Sequence, residues 1–243
     1  MRTTDLTADH SETDPLHIEA ARIEDAYARR NPGDRYSWFQ PGHVFMMQER
    51  ERGILSLLQR YQFHNLETKR ILDVGCGTGN WLRDLIRWGA EPRNIGAVEL
   101  LEERVARARQ LCPFGVEIRQ NTAAQLPYGK ETFDMVIQST VFTSILEAGM
   151  KQQIASEMLR VLKPEGFILW YDFLVNNPRN PDVRGVPRME IQSLFPGCDV
   201  RLKRITLAPP LTRRVAPYSW LVCYLLSKVP FLCTHYLGVI RKG

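Results

Sequence analysis

The chain has 243 residues, 44% of them hydrophobic, and a formal net charge of +5. This length and composition suit one α/β domain with a full core, and no run reaches the ~18 uninterrupted apolar residues that a membrane-spanning helix needs. The five cysteines are widely spaced and include no CxxC pair, which argues against a disulfide framework or a zinc site and predicts a cytoplasmic protein. No metal is expected.

Positive charge is concentrated towards the C-terminal end. Residues 200–243 contain no Asp or Glu but many Lys and Arg. The simplest interpretation is a solvated basic face. Three partners are also possible for this face: an anionic substrate, an anionic membrane surface in peripheral contact, or nucleic acid. Nucleic acid is the least expected of these, because no appended RNA-binding module is visible.

The N-terminal part of the chain predicts a tail and two helices. Residues 1–14 are polar and are expected to be a disordered tail. Residues 15–62 form a helical segment, in which Asp14-Pro15 begins one helix, Asn31-Pro32-Gly33 closes it, and a second helix runs from about His43 to Tyr61. Residues 63–243 form the main domain.

From residue 69 onwards, apolar strands alternate with amphipathic helices. The strands are "RILDV", "NIGAVEL", "VEIRQ", "FDMVIQ" and "GFILWYD", and two further strands are predicted in "DVRLKRITLA" and "HYLGVIRK". This rhythm indicates an α/β fold with a doubly wound, mostly parallel sheet and an N-terminal helical cover. Ligands of such sheets bind at the carboxyl ends of the strands.

A glycine-rich loop follows the first strand, in "RILDVGCGTGNWLRDL". Asn80 and Trp81 follow the last glycine, so the Lys-Ser/Thr pair of a nucleoside triphosphate loop is missing. The glycines are spaced GxGxG, whereas a dinucleotide fingerprint needs GxGxxG. Asp73 stands at the mouth of the loop and would repel a pyrophosphate.

Two acids indicate which ligand the loop holds. Asp73 would attract a cation or an ammonium group, and Glu99 ends the second strand, where a carboxylate accepts the hydroxyls of a ribose. An adenosine with a free ribose and a positively charged appendage satisfies both. S-adenosylmethionine (SAM) is such a molecule, and the sequence predicts that the loop binds it.

The sequence resembles the class I SAM-dependent methyltransferases of the small-molecule type, with their seven-stranded Rossmann-like fold. The resemblance covers about residues 66–175 through "ILDVGCGTGNW", "GAVEL", "TAAQLPY", "FDMVIQSTVFTSIL" and "EMLRVLKPEGFILWYD". It implies that the methionine moiety, the ribose and the adenine are held by Asp73, Gly75, Cys76, Gly77, Gly79, Glu99, Leu100, Thr122, Ala123 and Gln138. Thr122 replaces an acid that is frequent in the family, and Thr143 and Ser144 replace a frequent histidine pair.

Two residues are candidates for orienting the acceptor or removing its proton. Asp172 ends the fifth strand, although it could equally cap the next turn. His43 lies in the segment expected to fold over the cofactor, although a lone histidine at a helix start is more often structural.

The acceptor is predicted from the segment after the fifth strand, "DFLVNNPRNPDVRG". Asn177, Arg179 and Arg184 offer groups for a polyhydroxylated or acidic acceptor, and the alternative is a turn cluster that satisfies its own hydrogen bonds. We therefore expect O-methylation of a small polar molecule or a glycan. An RNA methyltransferase and a non-catalytic SAM-binding protein remain alternatives.

An aromatic segment, "RYSWFQPGHVF", precedes the first strand. Tyr36, Trp38 and Phe39 lie between hinge-like Pro and Gly pairs, which favours a lid that closes over the cofactor. The alternative is that these rings are ordinary core.

Overall fold

A computed structural model describes residues 15–30 and 33–243. The expected tail, the Asp14 cap and the Asn31-Pro32 helix closure lie outside these residues.

Eight α-helices and seven strands are found in this part of the chain. The helices are α1 (Pro15–Ala28), α2 (Pro41–Arg60), α3 (Asn80–Arg87), α4 (Glu102–Leu111), α5 (Ala148–Val161), α6 (Arg188–Leu194), α7 (Pro209–Val215) and α8 (Trp220–Ser227). The strands are β1 (Ile71–Val74), β2 (Ile95–Glu99), β3 (Glu117–Gln120), β4 (Phe133–Ser139), β5 (Leu162–Phe173), β6 (Asp199–Leu207) and β7 (Cys233–Arg241).

The strands form one sheet in the order β3-β2-β1-β4-β5-β7-β6. The first five are parallel, and β7 runs antiparallel between β5 and β6. The strand order reverses between β1 and β4, so the carboxyl ends of β1, β2 and β4 open a crevice there. The predicted doubly wound, Rossmann-like fold is confirmed.

Each face of the sheet is covered by its own hydrophobic core. On one face, Ile71 of β1 packs in a cluster with Ile54 and Leu58 of α2 and with residues of α3 and α4. On the other face, Leu72 packs in a cluster with Met158 of α5 and with residues of α6. Because both faces are buried, the strands are apolar on both sides. Consecutive strand residues still point to opposite faces, and this alternation decides which side chains reach the crevice.

The Pro-punctuated stretch after β6 contains two helices that the sequence pattern did not predict. Helix α7 begins with Pro209 and Pro210, which fit the first helical positions because they need no amide donor. Helix α8 is capped by Ser219, whose side chain accepts a hydrogen bond from the Val222 amide. Both helices are short, so periodicity gave little signal for them.

Within the described residues, every helix is too short or too polar to cross a lipid bilayer.

Candidate functional site

The glycine loop needs its glycines for backbone conformation and for space. Gly75, Gly77 and Gly79 have φ values of +72°, +57° and +79°, a region that side chains disfavour. A Cβ on Gly75 would lie 2.6 Å from Val141 Cγ2. A Cβ on Gly77 would have nothing nearer than an arginine nitrogen 3.7 Å away, so this part of the loop leaves open space for a ligand.

Glu99 ties this loop to the end of β2. Its Oε2 accepts a hydrogen bond from the Gly77 amide at 2.8 Å, and its Oε1 accepts from the Leu100 and Leu101 amides at 3.0 and 3.1 Å. A carboxylate offers about four acceptor positions, so Glu99 can accept a further donor while it orders the loop.

Asp73 lies beneath the loop rather than at its mouth. The side chain is buried, and both of its oxygens lack a hydrogen-bond partner among the described residues. Burial, with the negative charge of Glu99, raises the pKa of Asp73 to about 8, although Arg50 opposes this rise. An unpartnered buried carboxyl is costly, and a positively charged ligand above it would relieve that cost.

We expect Asp73→Asn to stabilise the ligand-free protein at high pH. The raised pKa means that the folded state holds this proton more tightly than the unfolded chain, so the free energy of unfolding falls as pH rises from about 4 to about 8. Asn carries no such charge. The free energy of unfolding of the variant should therefore exceed that of wild type by ~1–3 kcal/mol at pH 8 and equal it near pH 4. Urea unfolding across this range measures the difference. A variant less stable than wild type at pH 8 would contradict the burial argument.

The crevice is a cavity of about 1190 Å³, larger than the ~300–1,000 Å³ typical of a site for one small molecule. It has room for a cofactor and an acceptor together. Its lining includes most of the predicted cofactor residues: Gly75, Cys76, Gly77, Glu99, Leu100, Thr122 and Ala123. Gly79 begins helix α3 just behind them.

Gln138 differs from its predicted position. It lies in β4 outside the cavity lining, where its Oε1 accepts weakly from the Val141 amide and its Nε2 has no partner among the described residues. Ser139, Thr140 and Val141 line the cavity instead. Consecutive strand residues point to opposite faces of the sheet, and Gln138 points to the same face as its β5 partner Trp170, which is buried in the core under α5. Ser139, one residue later, reaches the cavity.

His43 lines the cavity from the first turn of α2. Its ring contacts Tyr36 and Trp38 edge-on, with centroids 5.9 and 5.4 Å away. The buried Nδ1 has no hydrogen-bond partner in the part of the chain that is described. Burial, with the positive charges of Arg50 and Arg213, lowers the pKa of His43 below its ordinary value of 6.5, so the ring is neutral at pH 7.

Arg50 is a central residue of the cavity that the sequence analysis missed. Its guanidinium lies 4.9 Å from the Trp81 ring and 5.8 Å from the Tyr171 ring, and 3.6 Å from Asp84 Oδ2. Its charge opposes the raised pKa of Asp73. Nothing in the helical pattern of α2 distinguishes Arg50 from its exposed basic neighbours, because its burial arises only when α2 packs on the sheet.

The aromatic segment is divided between the cavity and solvent. Tyr36 and Trp38 line the cavity although each is about two-thirds exposed, whereas Phe39 is 96% exposed and lies outside the lining. None of these three rings is buried, whereas the core alternative requires buried rings.

We expect Trp38→Ala to lower turnover without unfolding the protein. Trp38 is exposed but packs on His43, so the truncation loosens that ring at little cost in stability, and we expect a ~10–100-fold loss in kcat. Phe39→Ala is the matched control, since its ring touches solvent, and should keep full turnover. Loss of thermal stability in Trp38→Ala would favour the core alternative, and an unchanged rate would remove Trp38 from a lid.

Asp172 is placed where it does not reach the cavity. It is fully buried outside the cavity lining, where its oxygens accept hydrogen bonds from the Thr143 hydroxyl and amide and from the Phe173 amide. Burial raises its pKa to about 6, and these hydrogen bonds oppose the rise. The geometry supports the cap alternative and gives no contact with an acceptor.

The loop after β5 satisfies its own polar groups. Asn177 Oδ1 accepts from the Arg179 amide, Asn180 Oδ1 accepts from the Asp182 amide, and the Arg184 amide donates to Thr143. Asn177, Arg179 and Arg184 lie outside the cavity lining. The turn-cluster alternative therefore accounts for these amides, and the structure gives the three residues no place in the cavity lining.

The described residues contain no group of three His, Cys, Asp or Glu placed to hold a metal ion. We still predict that the reaction needs no metal ion, so that turnover should survive a chelator.

Comparison with known proteins finds similarity to methyltransferases in the region that contains the glycine loop. Residues 71–166 match the family model of a methyltransferase domain. A sterol 24-C-methyltransferase of Gibberella zeae is 27% identical over 154 residues, which are 58% of this chain and 39% of that protein. A tRNA N(3)-cytidine methyltransferase of Gallus gallus is 31% identical over 112 residues, 43% of this chain and 30% of that protein.

Solved structures share the fold at low identity. A SAM-dependent methyltransferase from Archaeoglobus fulgidus superposes with a TM-score of 0.55 at 17% identity, covering 82% of this chain and 98% of that one. The chain spans less than half the length of the two curated relatives above.

Proposed function

Residues 71–166 form a methyltransferase domain of the class I SAM-dependent family, and from this premise we propose that the protein transfers the methyl group of SAM to a hydroxyl of a small acceptor. One observation carries the proposal: a single cavity is lined by the glycine loop, by Glu99 and by His43, whose buried Nδ1 has no hydrogen-bond partner among the described residues.

The residues at the loop end fit SAM. Glu99 would accept the ribose hydroxyls, and Leu100 and Ala123 would lie beside the adenine. The buried Asp73 carboxyl, which has no hydrogen-bond partner among the described residues, complements the positive charge of the cofactor. The glycines allow the backbone to approach it closely. When bound, SAM supplies a methyl group on a sulfonium, which is already a good leaving group.

His43 is our candidate for the general base. An acceptor hydroxyl must lose its proton as it is methylated, and a neutral imidazole within hydrogen-bond reach can accept it. The free Nδ1 is the atom that would take this proton. Tyr36 and Trp38 hold the ring in place and restrict the access of water from the cavity mouth.

The acceptor end of the cavity suits a small molecule with an apolar body and an anionic group. Aromatic and methionine side chains supply the apolar surface, and Arg50 and Arg213 supply positive charge. The lining residues that we assign to the acceptor are Tyr36, Trp38, Met46, Met47, Arg50, Phe173 and Arg213. We propose an acceptor of this class in preference to a glycan.

RNA methylation remains the second candidate. The basic stretch from residue 200 onwards favours it, as does the similarity to a tRNA methyltransferase. RNA binding with a steep dependence on salt would support this function.

The experiment that tests the proposal is an untargeted search for acceptors with methyl-labelled SAM in an extract of the source cells. We expect label in a small molecule of the stated class, and much less label with Glu99→Ala at the same subsaturating SAM concentration. Label confined to RNA would support the second candidate. Tight SAM binding with no label in any fraction would indicate a non-catalytic protein.

A further inference from the structure

Helix α8 and its flanking turns expose an unusually apolar surface. We call this the α8 surface and define it as Tyr218, Leu221, Val222, Tyr224, Leu225 and Phe231. Tyr218 is 89% exposed, Leu221 67%, Leu225 57% and Phe231 77%. Within α8, Leu221, Tyr224 and Leu225 have the i, i+3, i+4 spacing of one helix face, and Tyr218 and Phe231 lie in the turns on either side of the helix. An apolar patch of this kind on a protein surface marks an interaction site.

The helix is anchored to the domain by its opposite side. Cys223 is fully buried, in a small core with Phe45 of α2, and the Trp220 ring packs edge-on against Phe45 with centroids 5.8 Å apart. The inward side of α8 is therefore packed against the domain, whereas the side chains of the α8 surface stay exposed among the described residues. A rigid attachment of this kind presents the surface without unfolding.

The charged residues around the α8 surface are basic and indicate an anionic partner. Arg214, at the end of α7, is exposed, and the Lys228 ammonium lies 4.2 Å from the Tyr224 ring centre at the end of α8. No acid occurs anywhere from residue 200 to residue 243. Apolar and aromatic side chains bordered by cations match the boundary of an anionic bilayer, where acyl chains meet negative headgroups.

We propose that the α8 surface docks the protein on an anionic lipid bilayer, with Leu221, Leu225 and Phe231 entering the headgroup boundary. The docked bilayer lies beside the cavity, since Arg213 lines the cavity and the adjacent Arg214 belongs to the basic border. This inference does not depend on methyl transfer, and vesicle binding tests it alone.

The first test is sedimentation of the full chain with vesicles of phosphatidylcholine containing or lacking about one-third phosphatidylglycerol. We expect binding that is at least ~10-fold stronger to the anionic vesicles. The double variant Leu221→Ser, Leu225→Ser should lose at least ~10-fold of this binding, and Phe114→Ser, an exposed apolar control elsewhere, should lose none. Arg214→Glu should weaken binding more than Arg93→Glu, which changes net charge equally at a distant exposed site.

The second test needs no disruptive variant. Lipids brominated on the acyl chain should quench part of the tryptophan fluorescence of vesicle-bound protein, and Trp220→Phe should remove that part. Equal binding to neutral and anionic vesicles, no binding to either, or binding unaffected by the double variant would overturn the proposal. If the chain does not bind vesicles but self-associates, and the double variant abolishes this self-association, the partner is a second copy of the chain and the proposal is overturned. If the chain does not bind vesicles but binds RNA in a salt-sensitive way through Arg214, the partner is nucleic acid and the proposal is likewise overturned.

Discussion

Glu99→Ala should weaken the binding of SAM and of its demethylated product by ~1.5–3 kcal/mol, roughly 10- to 150-fold in Kd. Two ribose hydroxyls would lose a charged acceptor. The Gly77 amide, which now donates to Glu99 at 2.8 Å, would lose its partner in the same step, so the glycine loop would be less well ordered before the ligand arrives. Titration calorimetry with both ligands measures the change.

Two controls distinguish the lost acceptor from a damaged fold. Glu99→Gln keeps an oxygen for the loop amides but carries no charge, so its affinity should lie between wild type and Ala. Glu102→Ala removes a nearby exposed carboxylate in the first turn of α4 and should leave the affinity unchanged. Wild-type affinity in Glu99→Ala would remove this residue from the site.

His43→Ala should lower kcat by ~10²–10⁴-fold, the range typical of losing a general base, while SAM affinity changes little. The lowered pKa of His43 fixes the sign of the pH dependence. The base works only when neutral, so wild-type turnover should be constant near pH 7 and fall on the acid side, with a midpoint below 6.5. The variant should lose this acid limb.

His64→Ala is the matched control for this variant, because His64 is exposed and lies outside the cavity lining. It should keep the rate and the pH profile of wild type. A His43→Ala protein with full turnover would show that the ring only packs against Tyr36 and Trp38.

The fold and the loop end of the cavity were predictable because their signals are local. Strand, glycine turn and helix follow one another within a few residues, and Glu99 ends a strand that its own composition reveals. Asp172 and Gln138 were expected at the crevice but lie outside the cavity lining. Because β4 and β5 are buried on both faces, no polar side of either strand shows which residues face the crevice. Arg50 meets the cavity through the packing of α2 on the sheet, which no short pattern encodes.

The most direct test of the account is a calorimetric titration of the wild-type chain with SAM, NAD and ATP in turn. The central claim is that the glycine loop, with Asp73 beneath it and Glu99 beside it, holds a cationic adenosine rather than a phosphate. We expect one SAM bound per chain, with a Kd that Asp73→Asn weakens, and no measurable binding of NAD or ATP. Binding of NAD or ATP in place of SAM, or equal SAM affinity in wild type and Asp73→Asn, would contradict it.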